Sequence, residues 1–452
     1  MTVRIGAGAG YAGDRIEPAV ELARDGDLDY LGFECLGERT LALAQERIGR
    51  GEPGYDPRLR ERMRRVLPEC VERETTVVTN MGAADPEGAA EATSEIAEEV
   101  GLDVTVASVA GSDVRDRLDL VEEETYGGGR VSEIEGVVAA DAYLGVEGIV
   151  AALDTGADVV ITDRVADTSL FLAPLVFEFG WSTREPRGPI GQGVVTAHLL
   201  ECAGQVTGGY FADPGYKDVD GLADLGFPLA EVESDGGLIV TKLPDAGGEV
   251  TVRTCTEQLL YEVHDPSAYV TPDAVADFSA VEFEAVTEGR VRVTGARARP
   301  RTDTLKVNVC YEDSVVGEGS IGYAGPGALD RADLAASVVE TRLERRGTES
   351  DIEELRVDRI GVDSLHGDLG RGHPGEPYEV RLRVAARCRD PTTARAVANE
   401  VETLYTNGPA GGGGVTTDTR RVVGIASTLL DRDLVDPTVT LHPEGRTVEV
   451  ER

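Results

Sequence analysis

Val3 to Ile16 reads VRIGAGAGYAGDRI, and the fold turns on this stretch. A short apolar strand, Val3 to Gly6, enters a glycine-rich turn and leads to a helix over Pro18 to Arg24. The alternation continues outward. LDYLGFE (28–34) reads as a strand, Thr40 to Ile48 and Pro57 to Cys70 as helices, and TTVVT (75–79) as a buried strand. Pro86 to Val100 has apolar residues at helical spacing behind an N-terminal proline. Leu102 to Val109 is a strand, Tyr143 to Thr155 a helix, Asp158 to Thr162 a strand, and 165–179 a helix. Short apolar strands alternating with helices predict a parallel sheet covered on both faces. The fold class is therefore α/β: a doubly wound, mostly parallel sheet over residues 1–205, followed by an α+β domain over 206–452. In that second half Gly237 to Lys242, Glu249 to Thr254, Val281 to Val286, Gly289 to Val293 and Thr304 to Tyr311 read as strands. Helices follow at 330–345 and 392–405, with strands at 356–363, 378–388, 422–430 and 447–450.

The chain has 452 residues, 83 acids and 44 bases, for a net charge of −39. A length near 150 residues per domain predicts two or three domains. The charge argues against nucleic acid, whose binding needs a basic face, and against anionic membrane surfaces. Only three of the bases are lysines: Lys217, Lys242 and Lys306. The acids are spread along the chain and form no tail. A folded protein of this kind suits a high-salt cytosol, where ions screen its self-repulsion. The sequence opens without a secretory signal pattern and holds no apolar run long enough to span a bilayer. The six cysteines show no paired spacing, as expected of reduced cytoplasmic thiols.

The positions that could carry chemistry follow the predicted strands, because ligands of open parallel sheets bind beyond the strands' carboxyl ends. Gly8, Gly10 and Gly13 satisfy GxGxxG, whose amides could cradle a phosphate or another anion. Asp14 places a negative charge where such a loop normally has none. Glu34, 21 residues after Gly13, stands where an NAD ribose would need an acid. NAD is nonetheless the weaker reading, since glycines also simply let a strand turn tightly. Arg15 follows the first strand, Glu34, Glu38 and Arg39 the second, Asn80 the third, and Asp163, Arg164 and Asp167 the fifth. Arginines and an amide there could hold a carboxylate or phosphate while Glu34, Glu38, Asp163 or Asp167 moves protons. Asn407 and Gly411, Gly412 and Gly413 form a second candidate anion loop, with a plain surface loop as the alternative. His198, Glu201 and Cys202 share a helix face but match no zinc spacing, so no metal site is assigned. His366 and His373 flank a glycine-rich turn and read as solvent-facing.

Long stretches of the chain are distinctive. They include IGAGAGYAGDRIEPAVELARDGDLDYLGFECLGERTLALAQ (5–45), TNMGAADP (79–86) and GADVVITDRVADTSLFLAPLVFEFGW (156–181). Others are HLLECAGQVTGGYFADPGYKDV (198–219), EQLLYEVHDPSAYVTPDAVADFS (257–279), RPRTDTLKV (299–307) and YTNGPAGGGG (405–414). In these stretches the chain resembles the acyclic terpene utilisation family AtuA. The resemblance implies catabolism of a branched or prenyl-type acyl-CoA or a related carboxylate, of lyase or hydratase type. It also implies an alternative, an accessory subunit of an acyl-CoA carboxylase-type complex. A third reading, an NAD-dependent oxidoreductase, rests only on the glycine loop and Glu34. No cofactor is assigned; a CoA thioester would be the substrate. Longer relatives carry a small C-terminal domain of ferredoxin-like fold, so a separate small subunit of that fold is an expected partner. A small-molecule substrate and a homo-oligomer complete the expectations.

Overall fold

The computed structural model describes residues 1–121, 124–184, 189–367, 369 and 377–450. The first elements are β1 (Thr2–Ala9), α1 (Glu17–Asp25), β2 (Tyr30–Phe33), α2 (Glu38–Gly49), α3 (Leu59–Glu72) and β3 (Thr76–Thr79). Next come α4 (Pro86–Val100), β4 (Val106–Ala110), β5 (Val137–Ala142), α5 (Glu147–Asp154), β6 (Val159–Thr162), α6 (Asp167–Phe179) and α7 (Ile190–Glu201). Five strands pair in parallel in the order β1-β2-β3-β6-β4. Every residue of β2, β3's last three and all of β6 are buried. That is the burial a sheet covered on both faces imposes, and it explains their near-continuous apolar sequences. Helices α1, α3 and α4 pack in one layer and α5, α6 and α7 in another. Helix α4 shows its local causes plainly. The Asp85 side chain accepts from Gly88 N at 3.0 Å, Pro86 opens the first turn, and Gly101 closes the helix at φ 76°.

The chain then adds β7 (Pro228–Glu233), β8 (Leu238–Lys242), α8 (Val252–Leu260), β9 (Tyr269–Val270), β10 (Val275–Asp277), β11 (Glu282–Thr287), β12 (Arg290–Thr294) and β13 (Arg297–Arg299). Antiparallel β7, β8, β12 and β11 extend the sheet outward from β1. After β14 (Thr304–Ala324), α9 (Ala328–Arg346), β15 (Ile352–Ile360), β16 (Glu379–Cys388), α10 (Pro391–Asn407) and β17 (Gly413–Asp431), the strands β18 (Thr438–His442) and β19 (Arg446–Val448) extend the opposite edge from β4.

The chain forms two compact units, Met1–Cys310 with Ile425–Arg452, and Tyr311–Gly424. The expected boundary near residue 205 falls inside the first unit, because β7, β8, β11 and β12 join the parallel strands in one sheet. The second unit has the βαββαβ pattern of ferredoxin-like folds, with sheet order β15-β16-β14-β17 and α9 and α10 packed on the sheet. Ile321, Tyr323, Val339, Leu382, Val384 and Val397 lie in its core. This pattern lies inside the chain and does not bear on the separate small subunit expected above.

Two local readings need correction. Glu249 to Thr254 alternates like a strand but leads into α8: Thr251 Oγ1 accepts from Thr254 N at 3.2 Å, capping the helix whose Cys255 and Leu259 face the core. Tyr143 lies outside α5. Its N–H donates to Lys306 O at 2.9 Å and Leu144 N–H donates to Arg164 O at 3.2 Å, which hold the segment extended. His366 is exposed, and His373 lies outside the described residues.

Candidate active site at the carboxyl ends of the parallel strands

A cavity of about 880 Å³ opens beyond the carboxyl ends of β1, β2 and β6. Its wall includes Gly10, Asp14 and Arg15 after β1, Glu34 and Glu38 after β2, and Arg164 and Asp167 after β6. Tyr143, Cys202, Glu262 and Lys306 also line it, with Tyr11, Gln205, Tyr210, Tyr261 and His264 toward its rim. Six of the residues singled out in the sequence, Gly10, Arg15, Glu34, Glu38, Arg164 and Asp167, thus meet at one cavity.

Arg164 is the centre of charge. It is buried, its guanidinium lies 4.0 Å over the Tyr143 ring, and it reaches Asp167 Oδ1 at 3.2 Å and donates to Leu36 O. Burial works against its charge, but Asp167, Tyr143, Glu34 and Glu38 around it more than compensate and keep it a cation. Glu34 Oε1 accepts from Leu36 N at 2.8 Å and from Asn80 Nδ2 at 3.1 Å. Burial, reinforced by the charge of Asp167, pushes its carboxyl up to about 8. Glu38 is its opposite. Burial opposes ionisation there too, but Tyr143 OH at 2.5 Å, Arg164 and Lys306 hold the carboxyl down at about 2. Asn308 Nδ2 braces the same group, donating to Glu38 Oε1 at 3.0 Å and to Tyr143 OH at 2.8 Å. Asp167 is raised, first by burial and then by Glu38 and Glu262, with Arg164 opposing. At neutral pH the cavity therefore presents a protonated Glu34 and an ionised Glu38 around one arginine.

The other predicted residues lie elsewhere. Asn80 is fully buried behind Glu34 and also accepts from Cys35 N at 2.7 Å, so it orients the carboxyl without touching the cavity. Asp163 Oδ2 accepts from Gly111 N at 2.7 Å and Ser112 N at 2.8 Å, pinning the turn after β4. Arg39 is exposed and outside the lining. Gly8 and Gly13 are also outside it. A Cβ on Gly8 would lie 2.5 Å from the Phe33 ring. Gly10 N donates to Asp14 Oδ2 at 3.0 Å, so the loop's own carboxylate sits on the amide that an anion would use. Asn407, Gly411, Gly412 and Gly413 belong to the second unit.

The sequence reading missed Tyr143 and Lys306. Both come to the cavity through pairing of distant segments, 143 beside 306, which no local pattern records. His198 and Glu201 are buried and paired with each other, and among the described residues no three His, Cys, Asp or Glu are grouped to hold a metal ion. Among those residues, too, no helix is long and apolar enough to cross a membrane.

No curated protein and no solved structure matches this chain. A family model, that of the acyclic terpene utilisation family protein AtuA, matches residues 3–441. The match takes in every residue of the cavity wall. With nearly the whole chain covered, the protein belongs to the AtuA family of acyclic terpene utilisation.

Proposed function

We propose that the protein is a catabolic enzyme that moves protons on a small carboxylate or its acyl thioester, of branched or prenyl type, in a reaction of lyase or hydratase kind. The observation that carries this reading is the pair of carboxyls on one cavity driven to opposite protonation states, Glu34 up to about 8 and Glu38 down to about 2. Environments that push two acids apart are how a single fold supplies an acid and an anion at one pH. Glu34 is the proton donor. Asp167 is the base, its carboxylate beside Arg164. Glu38 remains ionised and fixes the Tyr143 hydroxyl and the Lys306 ammonium. Arg164 and Lys306 hold the carboxylate or thioester oxygen, and Arg15 at the cavity wall meets a distant anionic end such as the phosphates of CoA. The acid excess with three lysines supports a high-salt cytoplasmic setting.

Thermal unfolding in molar KCl tests the reading, with free CoA, branched and prenyl acyl-CoAs, NAD(H), ATP and simple dicarboxylates as ligands. A ligand of the native state at a hundredfold excess over Kd stabilises by about 2.7 kcal/mol. The expected result is a rise with the acyl-CoA or carboxylate series, retained in Glu34→Gln while turnover is lost. No rise with either series overturns the assignment.

A further inference from the structure

The rim of the main cavity carries aromatic rings that the chemistry proposed above does not use. Aromatic side chains make up 5 % of the chain, yet Tyr11, Tyr210 and Tyr261 all line this one opening. Tyr11 is 61 % exposed and Tyr210 is 89 % exposed, so a ligand at the rim can reach both rings. Tyr210 meets Tyr261 edge to face, with ring centroids 6.4 Å apart. The two rings form a corner, and both line a further recess of about 230 Å³ that shares them with the main cavity. A flat ring stacked on one tyrosine would meet the other edge to face, the two arrangements that aromatic rings favour.

The backbone at this corner is strained. Tyr210 has φ 61°, in the left-handed region, where a bulky side chain is a genuine outlier. Glycine would adopt that angle without strain, and Gly208 and Gly209 stand directly before it. A ring so exposed gains little from packing, so its place in the fold does not account for it. Glu262, beside Tyr261 and also on the cavity wall, has φ 60°. Ala203, between the lining residues Cys202 and Gly204, has φ 40°. Backbone strain of this kind gathers where a ligand is clamped.

The charge beside the corner narrows the chemistry of the occupant. Arg15 lines the same cavity and donates to Leu225 O at 3.1 Å. The Leu225 side chain packs on Gly209, where an added Cβ would stand 3.0 Å from Leu225 Cδ2. Arg15 is thus joined through a single residue to the turn that carries Tyr210. Asp14, its neighbour in the chain, accepts from Gly10 N at 3.0 Å and Arg15 N at 2.8 Å, so its carboxylate is engaged by backbone amides. A flat ring that bears an anionic group matches a stacking corner beside a guanidinium, and a nucleoside phosphate is such a molecule.

We infer that the rim of the main cavity is a nucleotide subsite, where Tyr210 and Tyr261 seat the base and Arg15 meets a phosphate. This rests on the reading of the inner cavity as the place of the acyl end. It makes the substrate a nucleotide-bearing thioester rather than a free acid.

Calorimetric titration of the intact chain in molar KCl decides the matter, with isovaleryl-CoA, isovaleryl-pantetheine and adenosine 3′,5′-bisphosphate as probes. The CoA thioester is expected to bind about tenfold more tightly than the pantetheine thioester, which lacks the nucleotide. The bisphosphate is expected to bind alone and to compete with isovaleryl-CoA. Tyr210→Gly is expected to lose the tenfold preference without a fall in Tm, because glycine relieves the strained φ. Tyr210→Phe is expected to keep it. Equal binding of the two thioesters, with the bisphosphate unbound, overturns the inference and leaves the acyl reading of the inner cavity standing. A preference that survives in Tyr210→Gly overturns it too. Bisphosphate binding that depends on Tyr210, with isovaleryl-pantetheine unbound and isovaleryl-CoA no tighter than the bisphosphate, upholds the subsite and overturns the acyl reading. No binding by any probe overturns both. The comparison of probes on the wild-type chain stands whatever the stability of the variants.

Discussion

Glu34 sets the pH behaviour of the cavity. Its carboxyl is raised from an ordinary value of 4.5 to about 8, so the native state holds a proton that the unfolded chain releases at much lower pH. The sign follows: the stabilising contribution is complete below about 4.5 and is lost as pH rises to about 8. Glu34→Gln, neutral throughout, is expected to flatten the pH dependence of stability in this window, as read by denaturant unfolding at several pH values. An unchanged slope would mean that Glu34 is ionised in the native state. The same proton makes turnover fall as pH rises through about 8, and the variant is expected to lose about a hundredfold or more in kcat. Asn80 tunes this group from behind. Its amide hydrogen bond lowers the Glu34 carboxyl, so Asn80→Ala is expected to move the alkaline limb of the rate profile to higher pH. It also removes the acceptor of Cys35 N–H, at a cost of about 1–3 kcal/mol in stability. A destabilised variant with an unmoved limb would show Asn80 to be structural alone.

At the scale of the elements, the glycine-rich turn after β1 is a packing device. A Cβ on Gly10 would stand 2.5 Å from the backbone carbonyl carbon of Cys202, at the end of α7. Backbone cannot rotate aside as a side chain can, so Gly10→Ala is expected to destabilise by about 1–3 kcal/mol and to disturb the cavity wall. A variant with wild-type Tm would show that the loop can shift at no cost. This turn also shows what was legible in the sequence. GxGxxG correctly marked a strand turning toward a helix, but the same letters serve phosphate binding and close packing. Only the Cys202 backbone and the Asp14 carboxylate on Gly10 N distinguish the two. The central strands were legible because burial on both faces makes them nearly continuous apolar runs, with polar residues only at their ends. Helix α4 was legible because its proline, its spacing and its closing glycine all agree. Glu34, Glu38, Arg164 and Asp167 follow buried strands and line the cavity, but Asn80 and Asp163 hold equivalent places in the sequence and turn inward to brace backbone and carboxyl groups, a difference that no local pattern records. Tyr143 was read as helix because VEGIV beside it is helical, while the pairing with residue 306 that holds it extended lies far along the chain. Strand β18, which completes the sheet beside β4, was missed for the same reason.

The charge belongs to the whole molecule. A net −39 places many like charges within a Debye length of one another at about 0.1 M salt, where that length is about 10 Å. Folding gathers them, so repulsion acts against the native state more than against the expanded chain. At about 1 M the Debye length is about 3 Å and most of this penalty is gone. Exposed pairs such as Arg60–Glu95, at 2.9 Å, are screened as well, but each contributes little. Buried contacts such as Arg62–Asp56 at 3.8 Å, with both groups out of solvent, are screened far less. The balance favours salt: Tm is expected to rise as KCl increases from about 0.1 M. A screening mechanism concentrates the rise in the first molar, because little potential remains to screen beyond it. A rise caused instead by strengthened apolar burial would continue steeply at higher concentration and would be larger in sulfate than in chloride at equal ionic strength. Calorimetric scans in both salts separate the two, and a Tm that stays flat or falls between about 0.1 and 1 M KCl would show that the acids do not repel one another enough to matter.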